Sequence, residues 1–118
     1  RVKVPTVCLD AFFSRAEGLK SRRVVFKIDI EGFEGFALSG MRQLLTNAER
    51  FCGIVEYNLS HLEDSGFGAT RFKSLLDEVS EWGVIQPDMS IKKCSAGDDI
   101  PAKCDLLLAE SQETFAAF

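Results

Sequence analysis

Two short stretches hold most of the side chains able to do chemistry. In FKIDIEGFEG, residues 26–35, Asp29 and Glu31 stand two apart, Glu34 follows, and Gly32 and Gly35 sit among them; Asp10 lies upstream. In FCGIVEYN, residues 51–58, Glu56 and Asn58 repeat the two-residue spacing, and His61 comes shortly after. Side chains two apart on an extended chain leave the same face. On adjacent strands, about 4.8 Å apart, four oxygen-bearing groups therefore converge on one small volume. Like charges held that close raise at least one carboxyl pKa unless a cation or a donor compensates. Such a cluster suits either a divalent cation, through hard oxygen ligands, or proton abstraction from a hydroxyl. His61 adds a base that titrates near neutral pH. A plainer reading uses the same residues. Acids at Glu31 and Glu34 suit the free N–H groups of a helix start, the glycines suit a tight turn, and a lone histidine suits a solvated loop. Spacing alone leaves both readings open.

The elements that must position these groups follow from periodicity. RRVVFKIDI is nearly continuous in apolar character, which predicts a strand covered on both faces and hence a parallel sheet. After Gly32 the period becomes helical, with Ala37, Met41, Leu44 and Leu45 on one face, predicting a single helix from residue 34 to about 47. FCGIVEYN reads as the next strand, and LSHLEDSGFGAT as a long loop. Phe72, Leu75, Leu76 and Val79 then form a helical stripe that Gly83 is placed to terminate. VIQPDMSI and CDLLLAE read as two final strands, paired antiparallel across KKCSAGDDIPAK, and SQETFAAF as a frayed helical turn. Upstream, Asp10 is expected to cap a helix that carries Phe12, Phe13 and Ala16 and stops at Gly18.

Alternation of strands and helices predicts an α/β fold, a doubly wound Rossmann-like sheet that ends in an antiparallel pair. In such sheets ligands bind beyond the carboxyl ends of the strands, which puts Asp29, Glu31, Glu56 and Asn58 on one rim. The 118 residues are 46% hydrophobic with a net charge of −4, as expected of one mildly acidic globular unit. No basic stripe favours nucleic acid, and no apolar run approaches the roughly 20 residues of a membrane span. Cys8, Cys52, Cys94 and Cys104 show no paired metal-ligand spacing. Cys8 and Cys52 are expected to be buried thiols, and Cys94 and Cys104 flank a loop across which a disulfide is one option.

FKIDIEGFEGFALSGMRQLL followed by FCGIVEYN resembles the signature of FkbM-type S-adenosylmethionine-dependent methyltransferases. That signature is Lys-Ile-Asp-Val-Glu-Gly-x-Glu at a strand end, a Leu-x-Gly step in the helix, and a Val-Glu strand. Lys27, Ile28, Asp29, Glu31, Gly32, Glu34, Leu38, Gly40 and Glu56 match it in order. VPTVCLDAFF resembles the family's lead-in, so the resemblance covers about residues 4–62. It implies S-adenosylmethionine as cofactor and a hydroxyl of a small molecule or sugar as methyl acceptor. It further implies Asp29 and Glu31 as catalytic, Glu56, Asn58 and His61 on the acceptor side, and Asp29 and Gly32 on the cofactor side, with no metal. The glycine-rich turn and ribose-binding acid of the family's earlier half have no counterpart in this sequence. The resemblance thus implies a single partial domain over residues 1–118, the carboxyl-terminal half, with most of the cofactor site elsewhere. Two alternatives are a non-catalytic α/β interaction domain that has lost cofactor binding and a metal-dependent hydrolase using the acidic rim.

Overall fold

The computed structural model describes residues 2–13 and 22–118. In chain order the elements are α1 (Leu9–Phe13), β1 (Arg23–Ile28), α2 (Glu34–Ser39), α3 (Arg42–Asn47), β2 (Arg50–Asn58), α4 (Leu59–Asp64), α5 (Ala69–Val79), β3 (Glu81–Ile85), β4 (Ile91–Cys94), β5 (Lys103–Ala109) and α6 (Gln112–Ala116). The strands form one mixed sheet in the order β1-β2-β5-β3-β4. Only β1 and β2 run parallel; β5 enters antiparallel between β2 and β3, and β4 hairpins back on β3. The α/β class holds, and the antiparallel part is larger than a terminal pair.

One face of the sheet carries the main core. Phe51, Val55 and Tyr57 of β2, Leu106 and Leu108 of β5, and Trp82 and Val84 of β3 pack with Leu38, Leu45, Leu62, Phe72 and Leu76 from the helices. Each such side chain removed from water contributes about 1.5–3 kcal/mol. Trp82 is 1% exposed, and its indole N–H donates to Asp77 of α5 at 2.8 Å. The same carboxylate accepts the backbone N–H of Ala96, so one acid joins α5, β3 and the segment after β4.

The other face is covered mainly by α6, whose Phe115 packs on Leu107 and Ala109. Val25 there is 80% exposed, with Ile54 and Phe118 also open to solvent. β1 is thus an edge strand covered on one face, not on both as its apolar run predicts. Val24, Phe26 and Ile28 turn to the core while Val25 and Lys27 turn out. Arg22, Arg23 and Lys27 are exposed along it.

Other expectations change for local reasons. The helix expected over 34–47 breaks at Gly40 and Met41 into α2 and α3, because Asp10 caps the second piece from outside. Its carboxylate accepts the N–H groups of Gln43 and Leu44 at 3.1 and 2.9 Å. Asp10 therefore lies inside α1 and caps α3, not its own helix; the expected continuation through Ala16 to Gly18 lies outside the described residues. Asn58 caps α4 within the segment expected to be a loop. VIQPDMSI is not one strand but the end of β3, a turn at Pro87, and the first residue of β4. Gly83 ends no helix; it lies in β3, where an added Cβ would press on the Lys92 carbonyl of β4. Cys8 is exposed, donating its thiol to the Gly40 carbonyl at 3.1 Å, and Cys52 is only half-buried. Cys94 and Cys104 are free thiols, and burial pushes the Cys104 thiol up to about 11.

Candidate functional site

The site begins where β1 stops. Ile28 is the last residue of the β1–β2 ladder, opposite Val55, so Asp29 emerges beside Glu56. Five residues later the chain has turned into α2, and the turn is forced by the backbone. Glu31 has φ 54° and Gly32 has φ 104°, the left-handed region that glycine tolerates best. Gly32 is also buried against α4, where any Cβ would overlap the His61 carbonyl. Asp29, Ile30, Glu31 and Phe33 are exposed around this turn, whereas Glu34 is 2% exposed. One Glu34 carboxyl oxygen accepts the Ile30 N–H at 3.0 Å and the other accepts the Gly32 N–H at 2.8 Å. Both donors are backbone groups that a turn leaves without ladder partners.

The second strand end is simpler. Asn58 is extended, with φ −138° and ψ 108°, and its side-chain oxygen accepts the His61 N–H at 3.1 Å. β2 therefore passes into α4 with no connecting residue. His61 is half-buried, and its main chain packs on Gly32.

Across the sheet, Glu56 pairs with Asp105 of β5, and Asn58 pairs with Lys103. Asp29, Glu56 and Asp105 form a row of carboxyls at one end of the sheet, with Lys103 beside them. The Glu56 pKa is raised, first by a hydrogen bond shared with the Asp29 carboxyl, then by partial burial and the Asp29 charge. Lys103 opposes this shift and Asp105 adds to it. Two carboxyls in such contact hold a proton between them more readily than either does alone.

Asp29, Glu56 and Asn58 thus share one rim. Glu31 leaves the extended run, so the common face that two-residue spacing gives a strand does not reach from Asp29 to Glu31. The oxygen of Asn58 is taken up by its cap. Asp105 and Lys103 escaped the sequence reading, because the rim position of β5 depends on its antiparallel insertion beside β2. Among the described residues, no three of His, Cys, Asp and Glu are grouped to hold a metal ion. Their helices include none long and apolar enough to cross a membrane.

A groove of about 590 Å³ runs along the outer side of β1, lined by Leu9, Phe26, Ile28, Asp29, Ala37 and Met41 among others. A second cavity of about 520 Å³ lies at the same end of the sheet, under the β3–β4 turn, with Met89, Ile100, Lys103 and Asp105 in its wall.

The mixed α/β sheet thus carries acids at the carboxyl ends of two parallel strands, beside an apolar groove, the place where ligands of α/β sheets bind. The family model of the methyltransferase FkbM domain matches residues 1–85, and the chain belongs to that family. The match runs beyond the motif-bearing residues, through α5 and β3. No curated protein and no solved structure gives a significant match.

Proposed function

We propose that this chain carries the acidic rim of an S-adenosylmethionine-dependent O-methyltransferase, with Asp29 and Glu56 as its reacting carboxyl pair. The observation that carries the reading is the placement of these two carboxyls side by side at the ends of β1 and β2, where ligands of such sheets bind, close enough that Asp29 raises the Glu56 pKa. The groove beside β1 suits part of the cofactor: an apolar wall of Phe26, Ile28 and Met41 for a flat heterocycle, and Asp29 for positive charge. When bound, S-adenosylmethionine supplies a methyl group on a cationic sulfur.

The chain's own residues do the rest. Asp29 and Gly32 are assigned to the cofactor side, Gly32 through its backbone, since the space of its missing side chain is filled by the His61 carbonyl. The ionised carboxyl of the Asp29–Glu56 pair takes the acceptor's hydroxyl proton as that oxygen gains carbon, and the protonated partner orients the oxygen by hydrogen bonding. Glu31 steadies the turn or the acceptor. Glu56, Asn58 and His61 line the acceptor side, where a hydroxylated small molecule or sugar is held in line with the methyl group. The remaining wall of the cofactor site is assigned to residues outside these 118, against the β1 edge, which no described strand occupies.

The test is methyl transfer from labelled S-adenosylmethionine to a panel of hydroxylated small molecules and sugars. It is run with the chain alone and with the longest open reading frame that encodes it, and calorimetry follows cofactor binding. Binding and transfer are expected in the longer protein and not in the chain alone. A longer protein that binds no S-adenosylmethionine would sink the proposal, and tight binding by the chain alone would sink the assignment of the missing wall.

A further inference from the structure

We infer that Glu34 is a positioning residue, whose buried carboxyl group sets the direction in which Asp29 is presented to Glu56. Among the described residues Glu34 is the one charged side chain that is fully buried, and both its oxygens are spent on the backbone of the turn, at Ile30 and Gly32. The Ile30 N–H belongs to the peptide unit that begins with the Asp29 carbonyl, so holding it fixes ψ of Asp29. The β1 ladder fixes the chain up to Ile28. Asp29 itself lies beyond that ladder, and its Cα–Cβ direction is set from one side by the strand and from the other by Glu34.

The second anchor makes the arrangement rigid. Gly32 is fixed by its bond to Glu34 and by close packing on the His61 main chain, with the positive φ of Glu31 between the two held N–H groups. A left-handed non-glycine residue is strained and persists only where its surroundings over-determine it. Glu34 does so here from within the core. No contact of Glu34 with Asp29 or Glu56 is needed; it acts through two peptide groups.

What the Asp29–Glu56 pair does chemically rests on the proposed methyltransferase reading, but its geometry does not. The test therefore uses the chain without cofactor or acceptor. Carboxyl-carbon NMR follows the titration of Glu56 in the parent, in Glu34→Gln and in Leu75→Val, which trims the core in α5 away from the turn. The groups facing Glu56 are Asp29 at the end of β1 and Lys103 and Asp105 on β5, and none of them is altered. In Glu34→Gln one of the two backbone N–H groups loses its acceptor and meets an amide donor instead, so the turn that aims Asp29 loosens. The Glu56 midpoint is then expected to shift down toward the ordinary glutamate range, while Leu75→Val leaves it in place. An unmoved midpoint in folded Glu34→Gln, or an equal shift in Leu75→Val, would overturn the inference. Should Glu34→Gln not fold, the parent decides. There the Ile30 and Gly32 amides should exchange more slowly than those of Glu31 and Phe33. Absence of that protection would likewise overturn it.

Discussion

The two parallel strands are neighbours in the sheet and hand over to their helices in opposite ways. β2 enters α4 directly, and Asn58 serves at once as last strand residue and helix cap. β1 enters α2 through Asp29–Phe33, two of whose residues have positive φ; α2 has no side-chain cap, and Glu34 holds the turn from the core. A polar side chain that caps its own helix is committed to the fold. A turn held by backbone bonds to a buried acid leaves its outward side chains uncommitted. The β1 junction costs more to build and in return presents Asp29, which is the difference expected between a structural corner and a reactive one.

The largest effect expected from breaking this contrast is on turnover. In the longer protein, Asp29→Asn should lower methyl transfer by at least about 10²-fold, the lower range for loss of a general base. Cofactor affinity measured by calorimetry should change much less. Near-normal turnover would reduce Asp29 to a turn residue and erase the distinction between the junctions. Gly32→Ala comes next and acts on stability. Strain at φ 104° together with overlap at His61 should cost about 2–4 kcal/mol in a urea denaturation curve. Asn58→Ala at the simpler junction should cost only about 1 kcal/mol, the usual value of an N-cap, with Asn58→Asp close to the parent. Equal losses at Gly32 and Asn58 would show that the two corners do not differ.

The smallest effect is a pH dependence. Glu56 has a raised pKa in the folded chain, so between its unfolded value and that raised value the folded state binds more protons. Stability from this group is therefore fully present below the unfolded pKa and is lost as pH rises through the folded one. Urea midpoints for the parent should fall relative to Glu56→Gln across that interval and run parallel to it above. Parallel curves throughout would mean that the Asp29–Glu56 contact is not made in solution.

Much of this was legible from residue types. The acids and glycines after FKI marked the strand-to-helix corner, and the stripe from Phe72 to Leu76 marked α5, because apolar periodicity reports burial directly. The rise of one carboxyl pKa in a crowded rim followed from charge and strand spacing. What periodicity could not give was partnership between distant segments. Asp10 looks like the cap of its own helix, yet its carboxylate closes α3, more than thirty residues away. Glu34 looks like a first-turn acid favoured by the helix dipole, and only the folded turn puts two N–H groups on it. Asp105 joined the rim because β5 inserts antiparallel beside β2, a topology that CDLLLAE does not encode locally. The outward face of β1 was misjudged for a similar reason. VVF reads as doubly covered, and the cover on one side is missing among the described residues.

The position of Trp82 has a practical consequence for optical work. It is the single tryptophan of the chain, and β2 and β5 separate its strand from β1. Its indole hydrogen bond to Asp77 ties its emission to the docking of α5 on β3. Fluorescence melts will therefore register collapse of the far side of the sheet and stay silent while the Asp29–Phe33 corner opens and closes. A variant that loosens only that corner will look unperturbed by intrinsic emission, and a reporter placed at Phe33, exposed on the turn itself, would be needed to see it move.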